Sequence, residues 1–157
     1  MKISLALGLA LPLGAFALMG GVPNTAHAAN GNHSGTICKN YNASQATDID
    51  YLTNGTRNLN SSSRPVICPL VTAGSGNATT NVYVDGYAAP GQTISCTLYS
   101  YDYHGNFLGA KSFPSAQSGK FDIYVSVPSG GYYGGLSVLC TLPPSAQGVI
   151  YDIDVVQ

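Results

Sequence analysis

The stretch Thr93–Tyr99, TISCTLY, alternates polar and apolar side chains. Its apolar face carries Ile94, Cys96 and Leu98, and its polar face carries two threonines, a serine and a tyrosine. A period of two with β-branched and aromatic residues predicts a strand with one buried side. The stretch Leu136–Leu142, LSVLCTL, has the same design, with a cysteine on its apolar face. We therefore expect these two strands to form the centre of the fold.

Strands are also predicted for most of the remaining chain, separated by glycine, proline, asparagine and serine turns. They cover Thr47–Thr53, Thr56–Leu59 as its return partner, Pro65–Val71, Asn81–Ala88, Phe107–Phe113, Phe121–Val127 and Val149–Val156. Proline cannot donate to a β-ladder, so Pro65–Val71 is predicted to be an edge strand or a short one. Seven or eight strands of this length, without a helix, are enough to predict an all-β fold. The prediction is a single antiparallel β-sandwich, immunoglobulin-like or jelly-roll-like, with a barrel as the alternative.

The first residues predict export. A basic start is followed by an apolar run to about Met19 and then by Ala26-His27-Ala28. This pattern is typical of a signal peptide cleaved after an A-x-A site, and the run is shorter than a membrane span requires. We therefore assign residues 1–28 to a signal peptide, 29–36 to a flexible amino-terminal arm and 37–157 to the β-sandwich domain. No insertion in a membrane is expected after cleavage, and the protein is expected to be secreted or periplasmic.

Four cysteines in an exported chain predict two disulfides. They are Cys38, Cys68, Cys96 and Cys140, and no C-x-x-C pair suggests a metal site. Three pairings are possible, and we favour the first cysteine with the second and the third with the fourth. The first two each follow an isoleucine beside an apolar patch, and the last two lie mid-strand on apolar faces.

Charge is scarce, which excludes several partners. Charged residues make up 8% of the chain, glutamate is absent and the formal net charge is −1. No basic patch is present to neutralise phosphates, so neither a nucleic acid nor an anionic membrane is an expected partner.

Candidate catalytic groups are few. His104 lies beside Asp102 at a predicted hairpin tip, where such residues are typical of a solvated turn. The pairs Asp48/Asp50 and Asp152/Asp154 each fall on one side of a predicted strand. Such pairs can be solvated faces that discourage edge pairing, calcium ligands or, less readily, the carboxylates of a glycosidase. We predict the solvated face, no cofactor, no metal and no enzymatic activity.

Tyrosine is the most suggestive residue type, with 11 copies and no tryptophan. Exposed tyrosines supply rigid, amphipathic contact area at binding surfaces, although tyrosine is also an ordinary strand residue. The candidate binding residues are Tyr101, Tyr103, Tyr132 and Tyr133, the last two in the loop between two strands. They predict a binding surface for a cell-surface glycan or an extracellular protein.

The cysteines and their flanking strand residues resemble those of small exported bacterial four-cysteine, β-rich proteins of unknown function. The residues that carry this resemblance are Cys38 and Tyr41, Asn54-Gly55 and Asn58, Val66–Leu70, Ile94–Leu98 and Val138–Pro143. The resemblance implies a structural framework and transfers no site residue. The function expected is therefore non-enzymatic binding outside the cytoplasm. The alternatives are a small secreted hydrolase and a structural or coat subunit that assembles through edge strands.

Overall fold

Short strands connected by tight turns make up almost all of the computed structural model, which describes residues 31–71, 79–128 and 134–156. Eleven strands lie in these ranges: β1 (Gly31–Ser34), β2 (Lys39–Asn40), β3 (Ile49–Leu52), β4 (Gly55–Asn58), β5 (Arg64–Leu70), β6 (Thr79–Ala88), β7 (Ser95–Tyr101), β8 (Phe107–Ser112), β9 (Gly119–Pro128), β10 (Gly135–Leu142) and β11 (Gly148–Val156). Two short 3₁₀ helices, Gly35–Ile37 and Ala43–Asp48, precede β2 and β3.

The strands form two antiparallel sheets. Sheet A has the order β3-β4-β11-β6-β9, and β1 pairs with the same side of β11 as β4 but further along it. Sheet B has the order β2-β5-β10-β7-β8. The predicted all-β fold of two antiparallel layers with a sandwich-like arrangement is confirmed. No helix in the described part of the chain is long and apolar enough to cross a membrane.

The core lies between the inner faces of the two sheets and follows the predicted alternation. Ile94, just before β7, and Leu98, within it, are both fully buried. The apolar face of β10 is buried along its length. Val82 and Val84 of β6 are likewise fully buried in sheet A. Because inward and outward residues alternate along a strand, these positions determine which side chains face solvent on each sheet.

Both predicted disulfides are present, Cys38–Cys68 and Cys96–Cys140. Cys96 lies directly opposite Cys140 in the register of β7 and β10, with Cα atoms 4.1 Å apart. The other bond joins the residue before β2 to β5, with Cα atoms 3.9 Å apart. Each bond therefore connects neighbours within sheet B, and the packing of apolar side chains joins sheet B to sheet A.

Two local expectations, for the amino-terminal arm and for the first hairpin, differ from the structure. The predicted flexible arm contains β1, whose residues Gly31–Ser34 pair with β11. Strand β4 pairs only with Val149 and Ile150 of β11, and β1 pairs with the residues that follow, Asp152–Val155. The dipeptide Asn54-Gly55 is typical of a tight hairpin turn, but the hairpin of β3 and β4 turns one residue earlier, at Thr53-Asn54, because Leu52 pairs with Gly55.

The strand with two prolines is not at the edge of its sheet. Strand β5 lies between β10 and the two-residue β2, which pairs only with Val66 and Ile67. The carbonyl oxygen of Pro65 accepts a hydrogen bond from the backbone of Tyr41 on the β2 side. In an antiparallel strand, alternate residues direct their peptide groups to the same side, so the nitrogens of Pro65 and Pro69 both face β2. Because β2 pairs only with Val66 and Ile67, no hydrogen bond between the strands is lost where a proline nitrogen cannot donate.

Candidate functional site

The outer surface of sheet A brings together aromatic and acidic side chains from four strands. Register places Asp122, Asp85 and Asp152 side by side on β9, β6 and β11. The next row runs Tyr124, Tyr83, Asp154 and Asn32, on β9, β6, β11 and β1. We call these seven residues the tyrosine–aspartate face. They point outward because their strand neighbours, such as Val84 and Ile153, are buried in the core.

Two tyrosines form the flat part of this face. The ring centroids of Tyr83 and Tyr124 lie 5.3 Å apart, and the ring planes differ by 25°, which is a stacked arrangement. Tyr124 is 58% exposed, because β9 is the last strand of sheet A. Paired rings hold one another in place, so they present a rigid apolar platform to solvent.

A groove of about 420 Å³ runs along the platform. Its lining includes Tyr83, Asp122, Asp154 and Asn32 together with Val155 and Val156 at the end of β11. The side-chain amide of Asn32 donates a hydrogen bond of 2.7 Å to Asp152, which fixes β1 against β11. The groove thus combines an aromatic wall with carboxylate acceptors and an amide, which suits a ligand with both apolar and hydroxyl surfaces.

The four carboxylates repel one another. Burial, and next the neighbouring Asp122, raise the pKa of Asp85 to about 6, with Asp154 and Asp152 adding to the effect. Burial and Asp152 also raise the pKa of Asp154, although His33 opposes the rise. None of the four carboxylates forms a salt bridge within the described residues. The face is therefore an acidic surface whose charge a ligand must tolerate.

We expect Asp85→Asn to stabilise the protein at pH 7.5 by roughly 1–2 kcal/mol, and to have little effect at pH 3.5. The folded-state pKa of Asp85 is raised, from 3.8 to about 6, so stability falls as the pH rises between these two values, and the full cost is present above pH 6. This cost is absent below the unfolded-state value, where the carboxyl is protonated in both states. Urea unfolding at the two pH values measures it.

The matched control for this measurement is Asp102→Asn. The side chain of Asn106 lowers the pKa of Asp102. The ionised carboxylate of Asp102 therefore stabilises the fold at neutral pH, and this stabilisation is lost as the pH falls, which is the opposite of the effect at Asp85. An equal gain from Asp85→Asn at both pH values would show that its carboxylate is not the source of the instability.

Two of the four predicted tyrosines lie among the described residues, and these two occupy different places. Tyr101 lies at the end of β7 in a groove on the outer surface of sheet B, beside Tyr99 and Tyr41. Tyr103 lies at the following hairpin tip, 67% exposed, with its ring against His104. Tyr132 and Tyr133 lie outside the described residues. The structure thus brings Tyr101 into a concave surface and places Tyr103 on a protruding turn.

The hairpin tip has a structural explanation. One carboxylate oxygen of Asp102 accepts hydrogen bonds from the backbone amides of His104 and Asn106, at 2.9 and 2.8 Å. The other accepts from the side chain of Asn106 at 2.8 Å. The carboxylate therefore holds the turn together, as is typical of aspartate at tight turns. Its bond to His104 is made to the backbone amide of that residue.

The two aspartate pairs have different surroundings. Asp48 ends a 3₁₀ helix and so is not in a strand as predicted; it binds Arg64 at 2.5 Å, while Asp50 on β3 binds Arg57 at 2.8 Å. Asp152 and Asp154 lie on β11, which has neighbours on both sides, so they cannot protect a sheet edge as predicted. Among the described residues, no three histidine, cysteine or acidic side chains are placed to hold a metal ion.

Sequence reasoning missed Tyr83, Asp85 and Asp122 as members of a site. The signal was the outward half of the alternation in β6 and β9, where tyrosine and aspartate occupy successive outward positions. That signal becomes a site only when register is known, because a shift of one residue would move every side chain to the opposite surface.

Comparisons of the chain with protein-family models, with curated proteins and with solved structures found no match. The functional interpretation therefore depends on the surfaces described above. The two disulfides are compatible with an oxidising environment, extracellular or periplasmic.

Proposed function

We propose that the protein is a secreted, non-enzymatic binding protein that recognises a neutral cell-surface glycan through the tyrosine–aspartate face. The observation that carries this proposal is the stacked pair of Tyr83 and Tyr124 beside a groove with carboxylate and amide groups. A sugar ring has an apolar face of C–H groups, which packs on an aromatic ring, and a rim of hydroxyls. Those hydroxyls donate to carboxylates such as Asp122 and Asp154, and charge-assisted bonds of this kind are strong.

The acidic charge of the face restricts the ligand. Four carboxylates within two rows would repel sulfate or uronic acid groups, and repulsion between like charges at an interface costs several kcal/mol. Neutral polysaccharides avoid this cost, so we expect binding to them in preference to acidic ones.

Export supports an extracellular ligand. The predicted signal peptide at residues 1–28 and the resemblance to exported bacterial proteins both support a location outside the cytoplasm. The two disulfides agree with that location. A cell-surface glycan is the ligand class that the domain would meet there and that the composition of the face fits.

We expect the double variant Tyr83→Ala/Tyr124→Ala to lose at least about fivefold in affinity for whichever neutral polysaccharide retains the parent. Loss of two stacking surfaces at about 0.5–1.5 kcal/mol each gives this magnitude. Affinity electrophoresis on cellulose derivatives, xylan, mannan, β-1,3-glucan and a sulfated control polymer measures it.

Two further variants serve as controls in this experiment. Tyr103→Ala removes an exposed tyrosine from the hairpin tip and is expected to bind as the parent does. Tyr132→Ala/Tyr133→Ala tests the loop that the sequence singled out. If only the loop variant loses retention, the binding site lies in that loop and not on the tyrosine–aspartate face. If the parent is retained on none of the neutral polymers, glycan binding is contradicted.

One observation favours the secreted hydrolase as a second candidate. Asp85 has a raised pKa beside other carboxylates, as the acid of a glycosidase does. Binding remains the better proposal because Asp85 and Asp122 are direct neighbours across the β6–β9 ladder, which leaves no space for a sugar between them. The carboxylates of glycosidases flank the bond they cleave, about 5 Å or more apart. Release of reducing ends that Asp85→Asn abolishes would reverse this choice.

A further inference from the structure

The outer surface of sheet B carries a second tyrosine-lined groove, of about 180 Å³. We call it the tyrosine groove. Its lining residues are Tyr41, Ile67, Tyr99, Tyr101, Ser137 and Leu139. Register explains the arrangement, because Tyr99 lies opposite Ser137 while Ile67 and Leu139 pair on the neighbouring strands. The five lining residues on β5, β7 and β10 alternate with buried residues, so they face solvent, and Tyr41 lies just after β2 and is exposed.

The rings in the groove are held in place. Tyr99 and Tyr101 lie two residues apart on β7, so they point to the same side about 7 Å apart. Tyr101 packs edge-to-face against Phe107 of β8, with centroids 5.8 Å apart. Tyr41, 55% exposed, forms the open side of the groove. A preorganised aromatic surface loses little entropy when a ligand binds.

The chemistry of the lining indicates a neutral ligand with apolar faces. The six residues carry no formal charge, and their polar groups are the hydroxyls of three tyrosines and Ser137. Hydroxyls both donate and accept, which matches the hydroxyl rim of a saccharide. The same type of ligand that suits the tyrosine–aspartate face therefore suits this groove, without the acidic charge.

The two surfaces face in opposite directions. Leu98 and Cys140 of sheet B and Val84 of sheet A are buried in the shared core, so the outward neighbours of each sheet point away from one another. We propose that the tyrosine groove is a second site for a neutral glycan, and that the protein cross-links two polysaccharide chains. This proposal rests on the proposed function of the tyrosine–aspartate face.

Stoichiometry tests the proposal. Isothermal titration with cellohexaose, xylohexaose, mannohexaose and laminarihexaose is expected to give two molecules bound per chain for the best of these probes. Tyr99→Ala/Tyr101→Ala and Tyr83→Ala/Tyr124→Ala are each expected to reduce that number to one. Each is also expected to abolish the turbidity that the parent produces with the corresponding long polymer.

The exposed Tyr41→Ala keeps the test valid if the half-buried pair proves necessary for folding, and it is expected to weaken one of the two sites at least fivefold. Tyr103→Ala is the control and should keep both sites. One molecule bound per parent chain, unaffected by Tyr41→Ala, would overturn the second site and leave the proposed function standing. An envelope protein retained by the parent and lost in Tyr41→Ala would reassign the groove to a protein partner. No binding of any hexasaccharide would reject both.

Discussion

Replacing Cys96 and Cys140 together by alanine is expected to lower the free energy of unfolding by about 4 kcal/mol. The bond closes a segment with a sequence separation of 44, and its loss returns that freedom to the unfolded chain. Both cysteines are buried, near one end of the ladder between β7 and β10, so the change also leaves a small cavity. Urea unfolding followed by circular dichroism measures the loss.

The second disulfide provides the comparison. Cys38→Ala/Cys68→Ala opens a shorter separation of 30, and about 3.5 kcal/mol is expected. Because a whole domain is stable by only ~5–15 kcal/mol, either change removes a large share. A cost below 1 kcal/mol for the 96–140 pair would mean that β7 and β10 are held in register by packing and ladder bonds alone.

Gly35→Ala is expected to cost about 3 kcal/mol, near the upper end of overpacking effects. A Cβ at Gly35 would come within 2.1 Å of the carbonyl oxygen of Ile150, on the backbone of β11. The neighbouring Thr56 hydroxyl donates to the carbonyl of Gly35 at 2.7 Å, which holds the glycine in this position. This close approach lies where β11 changes its partner from β4 to β1. The atoms that the Cβ would meet belong to the backbone of β11, so no flexible side chain can move aside.

Gly109→Ala is the matched control for this change. No atom lies within 4 Å of a Cβ at Gly109, which is on the edge strand β8, so the same substitution should change stability by less than about 0.5 kcal/mol. Thermal unfolding of the two variants beside the parent makes the comparison. Equal effects at both positions would show that the close approach to Ile150 is relieved by movement of the first 3₁₀ helix.

The strand pattern and the disulfide pairing could be predicted from the sequence because both depend on local alternation. Cys96 and Cys140 each occupy the centre of a buried face, and two such strands are ready partners in one sheet. The shortest strands escaped prediction. Gly31–Ser34 and Lys39–Asn40 are too short for a period to be visible, and their strand character comes from the neighbours they pair with.

The candidate site was predictable only in part. The outward direction of Asp122 and Tyr124 follows from the pattern of β9 alone. Their partners Asp85 and Tyr83 are about 40 residues away along the chain, and the bulge in β11 between Ile150 and Asp152 shifts the acidic pair into line with them. Position in the sheet also explains the raised pKa of Asp85, since a strand with neighbours on both sides is partly buried, which is the main cause, and carboxylates on both neighbours add to it.

Strands β1 and β11 run antiparallel with Gly31 opposite Val155, so the two ends of the described chain are neighbours. A force applied between these ends would break the hydrogen bonds between β1 and β11 one after another, beginning at Gly31, and would not load the whole ladder at once. The segments closed by the two disulfides, 38–68 and 96–140, would stay shielded from that load. A domain anchored by both ends would yield first at β1, while sheet B kept its cross-linked form and the tyrosine groove upon it.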